Sequence, residues 1–157
     1  MGNTKVYTAL SQSIVTFNNV PSSDENAFIC GILEETADAG ISVDMIAGTP
    51  SISDKVSFAF TVADGDMPKL LPIVNKRGGT APLVICGNVK ITVKSKQMEA
   101  GTGFAAKVFT TLQKLGCLPL LVTTGVDEIS LLVHETDQAG NVWSDLEREL
   151  VRVFSEK

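Results

Sequence analysis

The run Gly101-Thr102-Gly103-Phe104-Ala105-Ala106 has the most chemically suggestive spacing in the chain, because it fits G-x-G-x-x-A between a strand-like and a helix-like segment. In a dinucleotide site such glycines let a pyrophosphate approach the backbone at a helix N-terminus. Here the strands that follow read as a hairpin rather than as the next member of a parallel sheet, which argues against a nucleotide. Asp64-Gly65-Asp66 could open a Ca²⁺ loop, but no further ligands follow at EF-hand spacing. It reads as a turn before a helix, with Asp66 as the cap. His134 is the only histidine and stands beside Glu135 just past a strand. With no nucleophile or orienting partner at a useful spacing, it reads as a solvated side chain. Cys30, Cys86 and Cys117 form an odd, widely spaced set in apolar contexts, which argues against a disulfide framework or a CxxC metal site and predicts small core residues. Trp143, at the start of the last helix, reads as a packing anchor. No convergent polar cluster suggests catalysis, and neither a cofactor nor a metal is expected.

Length and charge set the bounds. The 157 residues suit one medium domain or two small ones, and a unit of under about 80 residues has a marginal core that benefits from a neighbour. A net charge of −5 is the opposite of a nucleic-acid footprint, which wants clustered Lys and Arg. Nucleic acid is therefore not expected as a partner. Met1-Gly2-Asn3-Thr4-Lys5 has no apolar run behind its lysine, and no stretch reaches the ~18 apolar residues of a membrane span. The expectation is a cytoplasmic protein with no membrane partner.

The elements that must position any site follow from periodicity. Val6 to Leu10, followed by polar Ser11-Gln12-Ser13, reads as one short strand and Ser13 to Asn18 as a second. Ser22, Ser23, Asp24 and Asn26 precede a helical series at Phe28, Ile29, Ile32 and Leu33 that ends at Gly40. Ile41 to Ala47 reads as a strand, Gly48-Thr49-Pro50 as a turn, and Val56 to Val62 as a returning strand with Phe58 and Phe60 on one face. A helix from Met67 to Asn75 should place Leu70, Leu71 and Val74 inward. The glycines and proline of residues 76–82 punctuate the chain. Beyond them come strands at Leu83 to Cys86 and Asn88 to Val93, a helix from Gly103 to Leu115, strands at Leu118 to Thr124 and Glu128 to Val133, and a helix from Val142 to Phe154.

The order repeats because the sequence does. Thr16 and Thr92, Phe28 and Phe104, and Gly40 and Gly116 are each 76 positions apart, within Ile14-Val15-Thr16-Phe17 and Lys90-Ile91-Thr92-Val93 and the segments that follow them. A gapless offset through strand, helix and terminal glycine means that one supersecondary unit has been duplicated. In the hairpin the offset falls to 73, matching Ser57 with Ser130, so the first copy carries three extra residues near Thr49 to Lys55.

Gly40-Ile41-Ser42-Val43-Asp44-Met45-Ile46 and Met98-Glu99-Ala100-Gly101-Thr102-Gly103-Phe104-Ala105-Ala106-Lys107-Val108-Phe109, followed by Thr123-Thr124 and Glu128-Ile129-Ser130, resemble the paired ACT domains at the C-terminus of aspartate kinases. The resemblance covers almost the whole chain. It implies an α+β fold of two ferredoxin-like βαββαβ units with side-by-side antiparallel sheets and an exchanged N-terminal strand. The first ACT domain would span residues 11–79, and the second residues 80–157 with residues 1–10. Val6 to Leu10 would complete the second sheet, because only Ser155-Glu156-Lys157 follows the last helix.

The resemblance further implies a noncatalytic regulatory module that binds a small-molecule effector, an amino acid such as lysine or threonine, at an ACT–ACT interface, and a homodimer. The kinase domain is absent from this chain, so the expectation is a free-standing sensor or a subunit that works with a kinase catalytic chain. Asp24 matches an acidic residue of the family's pocket. Asn26-Ala27 and Thr102-Gly103 stand where the family has Pro-Gly, and Ser42 and Leu118 stand where it has asparagine. Gly48, a few residues on from Asp44, replaces a glutamine. With Ile29, Gly101 and Pro119 these form the candidate ligand-binding set. Ala27 in place of glycine would crowd a ligand's approach to the backbone.

Overall fold

A computed structural model describes residues 4–49, 54–136, 140 and 142–155. The fold is α+β, with six strands and five α-helices among the described residues. Every strand pairing whose register is described is antiparallel. The chain divides into two compact units, Ser11–Gly87 and Met1–Leu10 with Asn88–Lys157.

The Ser11–Gly87 unit takes most of β1 (Lys5–Pro21), then α1 (Glu25–Asp38), β2 (Ile46–Thr49), β3 (Lys55–Ala63), α2 (Met67–Asn75) and the beginning of β4 (Pro82–Lys94). Its strands follow the order β2-β3-β1-β4. Alternation drives the sheet: Val15 faces Phe60 and Phe17 faces Phe58 across the β1–β3 ladder, and all four side chains are buried. Ile32 of α1 and Leu70, Ile73 and Val74 of α2 cover the same core. Arg77 and Lys76, just past α2, hold Glu35 of α1 at 2.7 and 3.0 Å. The Arg77 guanidinium also donates to the Ile73 carbonyl and lies 5.9 Å from the Phe28 ring centroid. Hydrogen bonds from Arg77 and then Lys76 hold the Glu35 carboxyl below the usual glutamate range, because they favour its charged form.

The second unit takes the N-terminal part of β1 and the rest of β4. It adds α3 (Gln97–Ala100), α4 (Phe104–Leu115), β5 (Leu121–Thr124), β6 (Glu128–His134) and α5 (Trp143–Ser155). The order is β1-β4-β6-β5. Ile91 faces Leu131 and Val93 faces Ile129, and Val108, Leu112, Leu146 and Leu150 close the core from the helices. Val6 packs on this core, as does Trp143. Thr4 donates to the Ser95 hydroxyl and Thr8 to the Glu147 carboxylate, both at 2.9 Å.

The duplication reappears in hydrogen bonds. α1 ends with Gly40 N–H donating to Ala37 O and Ile41 N–H to Thr36 O; α4 ends with Gly116 N–H donating to Gln113 O and Cys117 N–H to Leu112 O. Each bond sits 76 positions from its counterpart. Gly40 and Gly116 lie at φ 72° and 66°, a left-handed helix stop that glycine adopts without a Cβ penalty.

Several expectations change. Val6–Leu10 and Ser13–Asn18 belong to one strand, β1, and Leu83–Cys86 and Asn88–Val93 to another, β4. A left-handed Ser11 and Gly87 kink these strands without ending them. Ile41–Met45 is not strand, because Met45 N–H donates to the Thr61 hydroxyl at 2.9 Å instead of to a ladder carbonyl. β2 accordingly starts only at Ile46 and includes Gly48 and Thr49, which were expected in a turn. Pro50 and most of the three-residue insertion lie outside the described residues, as do Glu156 and Lys157. Leu71 is 40% exposed, since helical spacing puts Leu70, Ile73 and Val74 on the buried face. The cysteines meet that expectation only in part: Cys30 and Cys86 are exposed, whereas Cys117 is half-buried and packs against the second core. Cys30 stands off the apolar stripe of α1, where its thiol donates to Glu34 at 3.4 Å and is pushed up by that carboxylate. Asp66 occupies the cap position of α2 without a side-chain capping bond.

Candidate functional site

The second unit carries a hollow of about 210 Å³ lined by Gln97, Gly101, Thr102, Gly103, Phe104, Lys107 and Phe154. Three elements build it. α3 brings Gln97, α4 starts at Phe104 after a left-handed Gly103 (φ 87°), and Phe154 comes from the end of α5. Phe104 and Phe154 stack at 4.5 Å between centroids with planes 28° apart, and Lys107 Nζ stands 4.9 Å from the Phe154 centroid. A Cβ on Gly101 would come within 3.2 Å of the Gln97 carbonyl oxygen, so this corner admits only a small residue.

The chemistry available is donation. The first N–H groups of α4 have no partner within the helix, and the helix dipole puts its positive end there. Lys107, one turn on, adds a cation whose backbone N–H donates to Gly103 O at 3.0 Å. The stacked rings offer an apolar face. Such a hollow suits a small molecule carrying a carboxylate. Among the described residues, no three His, Cys, Asp or Glu side chains group closely enough to hold a metal ion.

Of the residues expected from sequence, Gly101, Thr102 and Gly103 meet at this hollow. Leu118 is 83% exposed and, with Pro119, lies between α4 and β5, outside the lining. The first-copy residues belong to Ser11–Gly87 and do not line it. Asp24 is exposed at the end of a 3₁₀ turn, Asn26 and Ala27 are exposed in the first turn of α1, and Ile29 packs against that unit's core. Ser42 and Asp44 are exposed ahead of β2, with Asp44 N–H donating to Thr61 O at 3.0 Å. Gly48 is exposed within β2, where an added Cβ would meet the Ser57 carbonyl at 3.7 Å. Sequence reasoning did not assign Gln97, Phe104, Lys107 or Phe154 to the site. The i, i+4 spacing of Gly103 and Lys107 held a signal for the lysine, whereas Gln97 sits on a four-residue helix too short to produce periodicity. The G-x-G-x-x-A run does precede a helix, but β5 and β6 form an antiparallel hairpin rather than a dinucleotide fold. His134 ends β6 and is exposed.

No helix among the described residues is long and apolar enough to cross a membrane. No family model matches the chain. An aspartokinase of Geobacillus stearothermophilus is 26% identical over 107 residues, which make up 68% of this chain and 26% of that protein. The chain thus spans about a quarter of the length of this curated relative. Among solved structures, the ligand-free regulatory subunit of aspartate kinase from Thermus thermophilus is similar with a TM-score of 0.77 at 17% identity, over 99% of this chain and 95% of that one. A structure of aspartokinase alpha and beta subunits is similar with the same TM-score at 27% identity, over 96% of this chain and 97% of that one. Across nearly its whole length, the chain resembles the regulatory subunits of aspartate kinase.

Proposed function

We propose that the chain is a noncatalytic regulatory module of the aspartate kinase type, made of two ACT units, that binds a small amino acid and conveys its presence to a kinase catalytic chain. The observation that carries this reading is the extent of the likeness: the similarity in fold covers 99% of this chain and 95% of the regulatory subunit of an aspartate kinase. In this reading Ser11–Gly87 is one ACT unit, extended past the residue 79 expected from sequence, and residues 88–157 with residues 1–10, which bring the exchanged strand, are the other. Support for the exchange comes from Val6 against the second core and Val84 against the first. The working state is a homodimer, since regulatory oligomers close most readily about a twofold axis. The effector carboxylate would lie at the N-terminus of α4 near Lys107. Asp24 and Asp44 are proposed as acceptors for an ammonium group at the first-copy site.

One observation favours a second reading, an assembly subunit that has lost its ligand. Ala27 stands at the start of α1 where the family resemblance leads one to expect glycine, and its Cβ would crowd a ligand's approach to the backbone. Thermal-shift measurements against the twenty amino acids separate the two. An effector at ~100 times its Kd should stabilise the fold by about 2.7 kcal/mol. No shift with any amino acid, together with co-purification of a kinase chain, selects the assembly reading.

A further inference from the structure

β1 and β4 each pass from one unit to the other, β1 between Leu10 and Ser11 and β4 between Gly87 and Asn88. At each passage the backbone turns left-handed, at φ 56° for Ser11 and 72° for Gly87. These two residues are 76 positions apart, the offset of the duplication, so both copies bend their crossing strand at the same place. A left-handed residue inside a strand interrupts the pleat and is uncommon for serine.

One carboxylate gathers the two passages. Asp64, the first residue of the turn after β3, accepts the Ser13 hydroxyl at 2.5 Å, two residues beyond the kink of β1. Both its oxygens also accept the Gly87 N–H at 3.2 Å, at the kink of β4. Ser13 is fully buried, so loss of its carboxylate acceptor removes the partner of a buried hydroxyl. Neither bond belongs to a strand ladder.

The geometry points to Asp64 as a latch that fixes where the crossing strands bend, and so controls opening of the β4 segment from Pro82 to Gly87. Asp64 is a positioning residue in this device, which needs no effector and stands apart from the hollow on α4. Latched, the segment stays in the Ser11–Gly87 unit; released, it opens locally without unfolding the second core.

Hydrogen exchange of the full chain, read by mass spectrometry, tests this. In Asp64→Ala, amides of residues 83–87 should exchange at least about tenfold faster than in the unsubstituted chain, since bonds to a charged acceptor are lost. Amides of residues 129–133 should change by less than about twofold, as expected for local opening. Asp64→Asn keeps an acceptor oxygen and should give a smaller acceleration confined to residues 83–87, which preserves the test should Asp64→Ala fail to fold. Uniform acceleration through residues 83–87 and 129–133 in the asparagine variant, or no acceleration at residues 83–87 in either variant, would overturn the latch.

Discussion

Phe17→Ala should lower the unfolding free energy by about 3–5 kcal/mol, the range for deleting a buried aromatic. Phe17 is fully buried, faces Phe58 across the β1–β3 ladder and meets Phe28 of α1 edge to face at 5.0 Å. Truncation thus removes the transfer free energy of the ring, leaves a cavity between sheet and helix, and breaks an aromatic pair worth about 0.5–1.5 kcal/mol beyond its buried area. Against a typical total of about 5–15 kcal/mol, the loss is a large fraction. Urea unfolding followed by circular dichroism should show a lower midpoint with an unchanged slope. A loss below about 1 kcal/mol would mean that Phe17 is not the bridge between strand and helix.

The second large effect lies in the other core. Leu112 of α4 is 2% exposed and, with Val108, seats that helix on Ile91, Leu131 and Val133 of the sheet. Leu112→Ala should cost about 2–5 kcal/mol, depending on how far the site collapses. Since Phe104 and Lys107 stand on the same helix, a looser seat also loosens the lining of the hollow. Thermal unfolding measures the first effect. The second should appear as faster amide exchange over residues 104–108, and protection there equal to that of the unsubstituted chain would separate the hollow from the core beneath it.

Much of the fold was legible because two periodicities were written twice. The helical series of Phe28, Ile29, Ile32 and Leu33 and the alternation of Phe58, Phe60 and Val62 yield α1 and β3 nearly as read, and α2 begins and ends as expected at Met67 and Asn75. Local tertiary bonds hid the rest. The Thr61 hydroxyl takes the Met45 N–H and shortens β2, which no pattern in residues 41–47 announces. Polar Ser11-Gln12-Ser13 suggested a break, yet the backbone absorbs its bend at a single left-handed residue and the strand continues. Cys30 was misread because apolar neighbours in sequence do not share its face of the helix.

The candidate site was legible only in part. Gly101, Thr102 and Gly103 were found because backbone approach at a helix start demands small residues, a local requirement that leaves a local mark. Phe154 arrives from a helix some fifty residues away and Gln97 from a single turn, and proximity of that kind has no sequence period. Asp64 was read as a turn residue, whereas its carboxylate reaches Ser13 and Gly87, 51 and 23 positions away.

The proposed role is regulation, and its most direct test is kinetic. The full chain, mixed with the separately expressed aspartate kinase catalytic chain of the same organism, should make the rate of aspartate phosphorylation depend on at least one amino acid that leaves the catalytic chain alone unaffected. A phosphorylation rate that the chain does not alter, with or without each of the twenty amino acids, would contradict the account.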